Sequence, residues 1–381
     1  MNDSLMTPSN KRPGVILEES LSQDLKYTET VIEHEGRCQG RRCSLWHSSE
    51  TQPVSDLELL SIMLRFGATA LPIEGVGGVQ TQVRHQRKGY MQLLMSHAIE
   101  RARRRVCAAF LYGTPSIYSK WGFTTCATSS WFKMQAADFR NLQELPMVRR
   151  GSATDLPAIV KVYNRDHGSR PWTVQRDSSW NHLIKPEVWQ PGSDVFVYEE
   201  RSDVAAYAIA KGHSPRCGHR QLVVEELGAV DPDSAMIMLQ FLARVCWEGK
   251  REQFTVFEPI DSSAGIAARR FGCEVVTRYF TDSNTMGVIL NRDSLVTGLK
   301  NELHRRVWLA GLNEQISYKA IALLRSGQLV PDQGELLRLM VGYEATSHTE
   351  TNDHATLLRA WFPGGGSPVL PIPYSHSLDH Y

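Results

Sequence analysis

The stretch from Glu74 to Pro115 constrains the fold of this chain more than any other. Gly75-Val76-Gly77-Gly78-Val79 reads as a glycine-rich strand end, and a basic turn follows at Gln86-Arg87-Lys88-Gly89. Met91, Leu94, Met95, Ala98, Ile99 and Ala102 then recur at the spacing of one helical face. Val106 to Tyr112 is a continuous apolar run stopped by Gly113 and Pro115, the pattern of a strand buried on both faces. Strand, turn, helix and buried strand form a βαβ unit, whose helix must cover the sheet, so the architecture is α/β.

Around this unit the patterns extend in both directions. Residues 1–26 read as a polar arm with at most a short helix near Leu17–Leu25, and strands are expected at Tyr27–His34 and Arg42–His47. Leu57–Arg65, the turn Phe66-Gly67-Ala68 and Thr69–Ile73 read as a hairpin. A faint repeat follows at an offset of roughly one domain length. Its second copy has a strand at Leu227–Val230, a helix from Ser234 to Trp247, a strand at Val256–Pro259 and an element ending at Phe271-Gly272-Cys273. Past Arg292 the period turns helical through Leu295, Leu299, Leu303 and Val307, then Ile316–Leu324 and Leu336–Met340. The expected class is α/β in the α+β sense. Two mixed-sheet domains stand in tandem (1–145, joined near Leu145-Pro146, and 146–292), followed by a small, mainly helical region, 293–381.

Composition removes several function classes. The 381 residues carry 42 Lys plus Arg against 41 Asp plus Glu, a net charge of +1, where a nucleic-acid-binding domain is distinctly basic. A 42% hydrophobic content is too high for a disordered chain. No apolar run reaches the roughly 18 residues of a membrane-spanning helix, and Met1–Gly14 is polar and broken by proline rather than signal-like. Seven cysteines without framework spacing suit a reducing cytoplasm. Neither nucleic acid nor membrane is an expected partner. Cys38, Cys43 and His47 fit no common zinc spacing, Arg216-Cys217-Gly218-His219 is weaker still, and no metal is expected.

The sharpest site candidate is the turn before the helix. Orphan amides and the helix dipole favour an anion at a helix N-terminus. Gly89 lets backbone approach a phosphate, while Arg84, Arg87 and Lys88 add charge beside Gln86 and Tyr90. The competing reading is a solvated basic helix start. Arg101, Arg103, Arg104 and Arg105 close the same helix, where cations complement the dipole; that reading is preferred to nucleotide binding.

Gln86-Arg87-Lys88-Gly89, placed between strand and helix, resembles the acetyl-CoA loop of the GNAT superfamily of N-acetyltransferases. Gly113 through Tyr118 to Trp121-Gly122-Phe123 is similar to the tyrosine element after that family's fifth strand. The whole resembles the enhanced-intracellular-survival branch, with an active GNAT domain, a degenerate copy and a sterol-carrier-like C-terminal region. Met91 departs from the small residue expected at the end of the loop, the N-terminal arm is short, and the C-terminal region has few strand signals.

The resemblance implies an acetyl-CoA-dependent transfer to a primary amine, small-molecule or lysine-like, in a direct reaction without an acyl-enzyme. It also hints at a homo-oligomer. An alkyl ammonium of pKa about 10.4 is only about 1 part in 2,500 neutral at pH 7, roughly 4.6 kcal/mol from its nucleophilic form. A proton must therefore leave the amine, and the departing thiolate needs one. Tyr118 matches the family's general acid. The C-terminal carboxylate, at Tyr381 behind the proline-rich stretch Pro368–Tyr381, matches its base, with Glu74 as the alternative. By analogy Val76, Gly78 and Val79 offer backbone groups to the acetyl and pantetheine arm. The second copy reads Val230-Asp231-Pro232-Asp233-Ser234 where a phosphate cradle would stand, so no CoA is expected there. Two rival readings are an acyl-CoA-binding protein without turnover and an interaction scaffold on a decayed GNAT fold. The acceptor and the oligomeric state are not legible in the sequence.

Overall fold

The computed structural model describes residues 15–34, 37–139, 148–168, 170, 173–177, 193–211, 221–279, 284–343 and 353–362. The first sheet opens with β1 (Val15–Ser20), β2 (Leu25–His34), β3 (Arg37–His47), β4 (Ser55–Phe66) and β5 (Thr69–Thr81), an antiparallel meander. The expected arm or short helix near Leu17 is instead edge strand β1. Val15 and Leu17 alternate with exposed residues along β2, a period of two that no helix can satisfy. After β5 come α1 (Tyr90–Ala102) and β6 (Ala108–Gly113), which pairs parallel to β5. The short helix α2 (Pro115–Tyr118) and strand β7 (Thr124–Thr125) follow.

The chain then leaves the first sheet. β8 (Ser129–Gln135) joins a second sheet built from β9 (Val148–Arg150), β10 (Ser193–Glu200), β11 (Asp203–Lys211), β12 (Gln221–Ala229), β13 (Gln253–Val256) and β14 (Glu274–Arg278). β15 (Asn284–Ile289) returns to the first sheet. The two orders are β1-β2-β3-β4-β5-β6-β15-β7 and β14-β8-β13-β12-β11-β10-β9. Each sheet thus holds one strand from the other half of the chain, and a linear cut near residue 145 does not separate them. The expected join, Leu145-Pro146, lies outside the described residues. The repeat is real in outline. In both sheets a strand, a helix and a parallel strand follow one another: β5, α1, β6, and β12, α4 (Pro232–Glu248), β13.

Both sheets are covered on two faces. On the first, α1 buries Leu94, Met95, Ala98 and Ile99 against Leu45, Leu57, Leu59 and Val76. The opposite face carries Ile62, Leu64, Phe66, Ile73 and Phe110, covered by α6 (Arg292–Leu309), α7 (Glu314–Ser326), α8 (Gln333–Val341) and α9 (Asp353–Trp361). The second sheet is flanked by α3 (Leu156–Asp166) on one face and by α4 and α5 (Ser263–Phe271) on the other. Among the described residues the C-terminal region is wholly helical. It is locked to the β4–β5 hairpin by Glu302, which accepts from Ala68 N–H (3.2 Å), Arg305 Nε (2.7 Å) and Arg306 Nε (2.8 Å). No helix among the described residues is long and apolar enough to cross a membrane.

Candidate active site

The site forms where β5 and β6 part. Their parallel pairing runs from Glu74 with Ala109 to Val76 with Leu111 and stops, although β5 continues to Thr81 and β6 to Gly113. Gly78 helps this divergence. It sits at φ +57° where the β4–β5 register shifts by a bulge, a left-handed conformation that a glycine adopts without a Cβ penalty.

Beyond the gap a single turn of 3₁₀ helix, Val83–His85, leads to the basic turn. Arg87 (φ 62°) and Gly89 (φ 82°) are both left-handed, and Gly89 is the residue from which α1 springs. A Cβ at Gly89 would meet no protein atom within 4 Å, so the space in front of α1 is open. The first turn of α1 holds no acid and no capping side chain, which leaves its amides facing outward for an anion. The result is a cleft of about 420 Å³ lined by Val79, Gln86, Arg87, Gly89, Tyr90 and Tyr118, with Thr81, His85, Met91, Gln92, Ile117 and Lys120.

Tyr118 ends α2 at the mouth of the cleft, half-buried, its ring 6.1 Å from Trp121 and 6.4 Å from Phe123. Burial raises its phenol above the ordinary value of 10. His85 was not legible as a lining residue. Its Nε2 hydrogen-bonds Glu50 Oε1 (2.9 Å), Arg84 holds the other Glu50 oxygen (2.6 Å), and this pins the turn that presents Gln86. Its partner lies 35 residues away, so neighbouring sequence carries no signal for the pair. Lys120 lies over the Trp121 ring at 4.3 Å, and only its nearness to Tyr118 in sequence pointed to it.

Of the other described sequence candidates, Met91 lines the cleft, and Val76, Arg84, Lys88 and Glu74 do not. Val76 is buried as the last residue of β5 that pairs with β6. Arg84 is turned onto Glu50, and Lys88 is exposed beside the loop. Met91 is partly buried against the α1 core as well as lining the cleft. Glu74 lies below the gap, where Arg105 Nε and Nη2 fork its carboxylate at 3.0 and 3.4 Å; it is not a lining residue. Tyr381 and Pro368 lie outside the described residues, as do Cys217 and His219. Cys43 is buried and its thiol is pushed up to about 12, so it is no ready thiolate.

A family match then covers the segment that holds the cleft. The acetyltransferase (GNAT) domain family matches residues 18–126, which span β2 to β7, the cleft and Tyr118. This segment is a GNAT domain. Three solved structures resemble the chain in fold. A conserved protein of unknown function from Enterococcus faecalis V583, described as a probable N-acyltransferase, aligns at 14% identity and TM-score 0.53 over 68% of this chain and 64% of that one. A GCN5-related N-acetyltransferase from Anabaena variabilis ATCC 29413 aligns at 15% and 0.53 over 67% and 64%. One from Kribbella flavida aligns at 18% and 0.50 over 67% and 62%. This chain therefore spans less than two thirds of the length of the structures it resembles. No curated protein matches it.

The second GNAT-like sheet is closed where the first is open. β12 and β13 pair up to Val224 with Val256 and then part, but carboxylates fill the gap. Glu258 accepts from Leu227 N–H and Asp166 from Ala229 N–H, both at 3.2 Å. Arg176 forks the fully buried Glu226 at 2.6 and 2.9 Å, and Tyr207 donates to the same carboxylate. α4 starts without a loop, and the Asp231 side chain takes its Ser234 N–H at 2.8 Å. The donors that would hold a ligand are satisfied by the chain itself.

Proposed function

We propose that the chain is an acetyl-CoA-dependent N-acetyltransferase that moves the acetyl group directly to a primary amine. The observation that carries this reading is the open cleft of the GNAT domain, with Gly89 and the uncapped α1 amides at one end and Tyr118 at the other. Gln86, Arg87 and the amides of α1 suit a diphosphate, and Val79 and Gly78 line the gap along which an extended thioester arm fits. The neutral amine nitrogen attacks the thioester carbonyl, the carbon–sulfur bond breaks, the leaving thiolate takes its proton from Tyr118, and the proton shed by the nitrogen passes to solvent, which returns the phenolate to phenol. With its phenol held protonated by burial, Tyr118 is suited to donate rather than accept. The carboxylates Glu226, Glu258 and Asp166 would repel a diphosphate from the second sheet, so we assign one CoA site per chain.

A second reading, binding of acyl-CoA without turnover, is favoured by one feature. Among the described residues no carboxylate lines the cleft to receive the ammonium proton. Calorimetry and initial rates separate the two. Acetyl-CoA should bind once per chain, and Gly89→Asp should weaken it at least tenfold, because the added carboxylate faces the diphosphate. Because Gly89 is left-handed (φ 82°), any side chain there is strained, so the melting temperature of the variant is measured beside its affinity, and the loss counts as one of binding where the fold is retained. Amine-dependent thiol release that Tyr118→Phe suppresses supports transfer. Binding with no release over a panel of primary amines would establish the second reading, and no binding at all would leave a scaffold.

A further inference from the structure

The sheet face covered by α1 is apolar along Leu45, Leu57, Leu59 and Val76, but past the C-terminal end of the helix it changes character. There the inward-facing positions are Glu29 on β2, Arg41 on β3 and Glu74 on β5, all drawn from strands that elsewhere bury hydrocarbon. The last turn of α1 and the residues after it bring Arg101, Arg104 and Arg105 over them. Between the two layers lies a pocket of about 250 Å³, lined by the four arginines, Glu29, and Ile16 and Leu17 of β1. It stands at the opposite end of the 13-residue α1 from the cleft, about 20 Å away at 1.5 Å per residue.

The donors in this pocket outnumber the acceptors. Glu29 accepts from Arg101 Nε (2.8 Å) and Tyr27 Oη (2.9 Å), and Glu74 accepts the Arg105 fork. Arg41 approaches the two carboxylates only at 3.7 and 3.9 Å, and its buried Nε has no hydrogen-bond partner among the described residues. The Arg104 side chain makes no ion pair among the described residues. Glu19 reaches Arg101 only from the rim, 45% exposed and therefore screened. Two guanidinium groups thus remain in excess of the two buried carboxylates. A dipole-complementing role accounts for cations at the helix end. It does not account for Arg41, which comes from a strand and turns into the same space.

We propose that this pocket binds a phosphoryl group, as free phosphate or as a compact phosphomonoester, at a site separate from the acetyl-CoA cleft. The planar pairing of Arg105 with Glu74 is already made. The remaining donors converge from β3, from the last turn of α1 and from the residues beyond it, a geometry suited to a tetrahedral oxyanion with oxygens on several sides. A dianion also matches the surplus of two positive charges, which a monocarboxylate does not.

The test uses the full chain carrying Gly89→Asp, which removes the α1 N-terminus as a competing anion site. Sodium phosphate is titrated calorimetrically and in thermal melts, with ionic strength held constant by sodium chloride. Saturable binding of one phosphate per chain is expected, with Arg104→Ala and Arg41→Gln each weakening it at least tenfold. Arg104→Ala breaks no ion pair among the described residues, so it decides the matter if Arg41→Gln fails to fold. Glycerol 3-phosphate binding more tightly than phosphate would assign Ile16 and Leu17 to an organic substituent; the reverse would assign the pocket to the free anion. A response equal to that of chloride, or one unchanged by Arg104→Ala, overturns the proposal.

Discussion

The ring of Tyr118 rests on the bare Cα of Gly113: a Cβ built there would stand 2.4 Å from Tyr118 Cε2 and 2.6 Å from Cδ2. The last residue of β6 thus sets the position of the phenol at the mouth of the cleft, and it does so by lacking a side chain. Gly113→Ala must displace either the ring or Leu111, whose Cδ1 would be 2.8 Å away. We expect this substitution to lower kcat about tenfold or more, approaching the roughly 100-fold loss for Tyr118→Phe. The calorimetric Kd for acetyl-CoA should stay near that of the parent. A parallel rise in Kd would mean that Gly113 shapes the binding cleft instead.

Burial raises the Tyr118 phenol, because the phenolate is the form that loses solvation. The proton is then retained past the ordinary value of about 10. A pH profile of kcat should rise with amine deprotonation and show no falling limb below about pH 10. A fall between pH 8 and 9 that disappears in Tyr118→Phe would contradict this assignment.

Glu302 joins the C-terminal helices to the GNAT domain. Burial alone would raise its carboxyl, yet the bonds from Arg305 and Arg306 and the Ala68 N–H hold it below the usual carboxylate value. Its side chain is fully buried, so Glu302→Ala leaves the charge of Arg306, itself largely buried, without a carboxylate and with only the Trp361 carbonyl to accept from it. A loss of about 3 kcal/mol in denaturant unfolding is expected. Gly67→Ala should also destabilise, since its φ is +61° and its Cβ would meet Glu302 Oε1 at 2.0 Å. A change under about 0.5 kcal/mol in Glu302→Ala would show that the hairpin does not depend on this contact.

Acid stability tests the start of the second half. Arg149 forks Asp155, whose carboxyl also caps Ser152 N–H at 2.8 Å and is held down to about 2. A depressed folded pKa contributes stability above the unfolded value of about 3.9, and that stability is lost as pH falls toward about 2. With Arg149 39% exposed, solvent screening reduces the contribution to about 1 kcal/mol. Asp155→Asn should therefore lower the melting temperature at pH 7 and converge with the parent near pH 2. A constant difference across that range would assign the effect to something other than the ionised pair.

Local chemistry made the cleft legible. A glycine strand, a basic turn, a helical face and a buried strand lie within 50 residues, and Gly89, Gln86 and Tyr118 take their places from backbone requirements that the sequence itself states. The helical C-terminal region was legible for the same reason, since its period is carried by consecutive turns. Glu74 shows where such reading ends. Its position beside the glycines is evident, but its partner Arg105 arrives from beyond α1, so only the folded chain shows the carboxylate engaged below the gap.

Strand exchange is the clearest decision made by tertiary structure. β8 alternates buried and half-buried residues and β15 is buried nearly throughout, and neither pattern says which sheet will receive the strand. The pairings of Phe132 with Val256 and of Gly287 with Phe110 join segments more than 100 residues apart. Likewise the sequence alone determined that the second repeat has acids where a phosphate loop would be. That Glu226, Glu258 and Asp166 close its gap, and that Arg41 and Arg104 meet in a pocket, depends on side chains brought together from separate elements. Short-range order is written in period and turn chemistry; the partners of buried charges are fixed only when the layers pack.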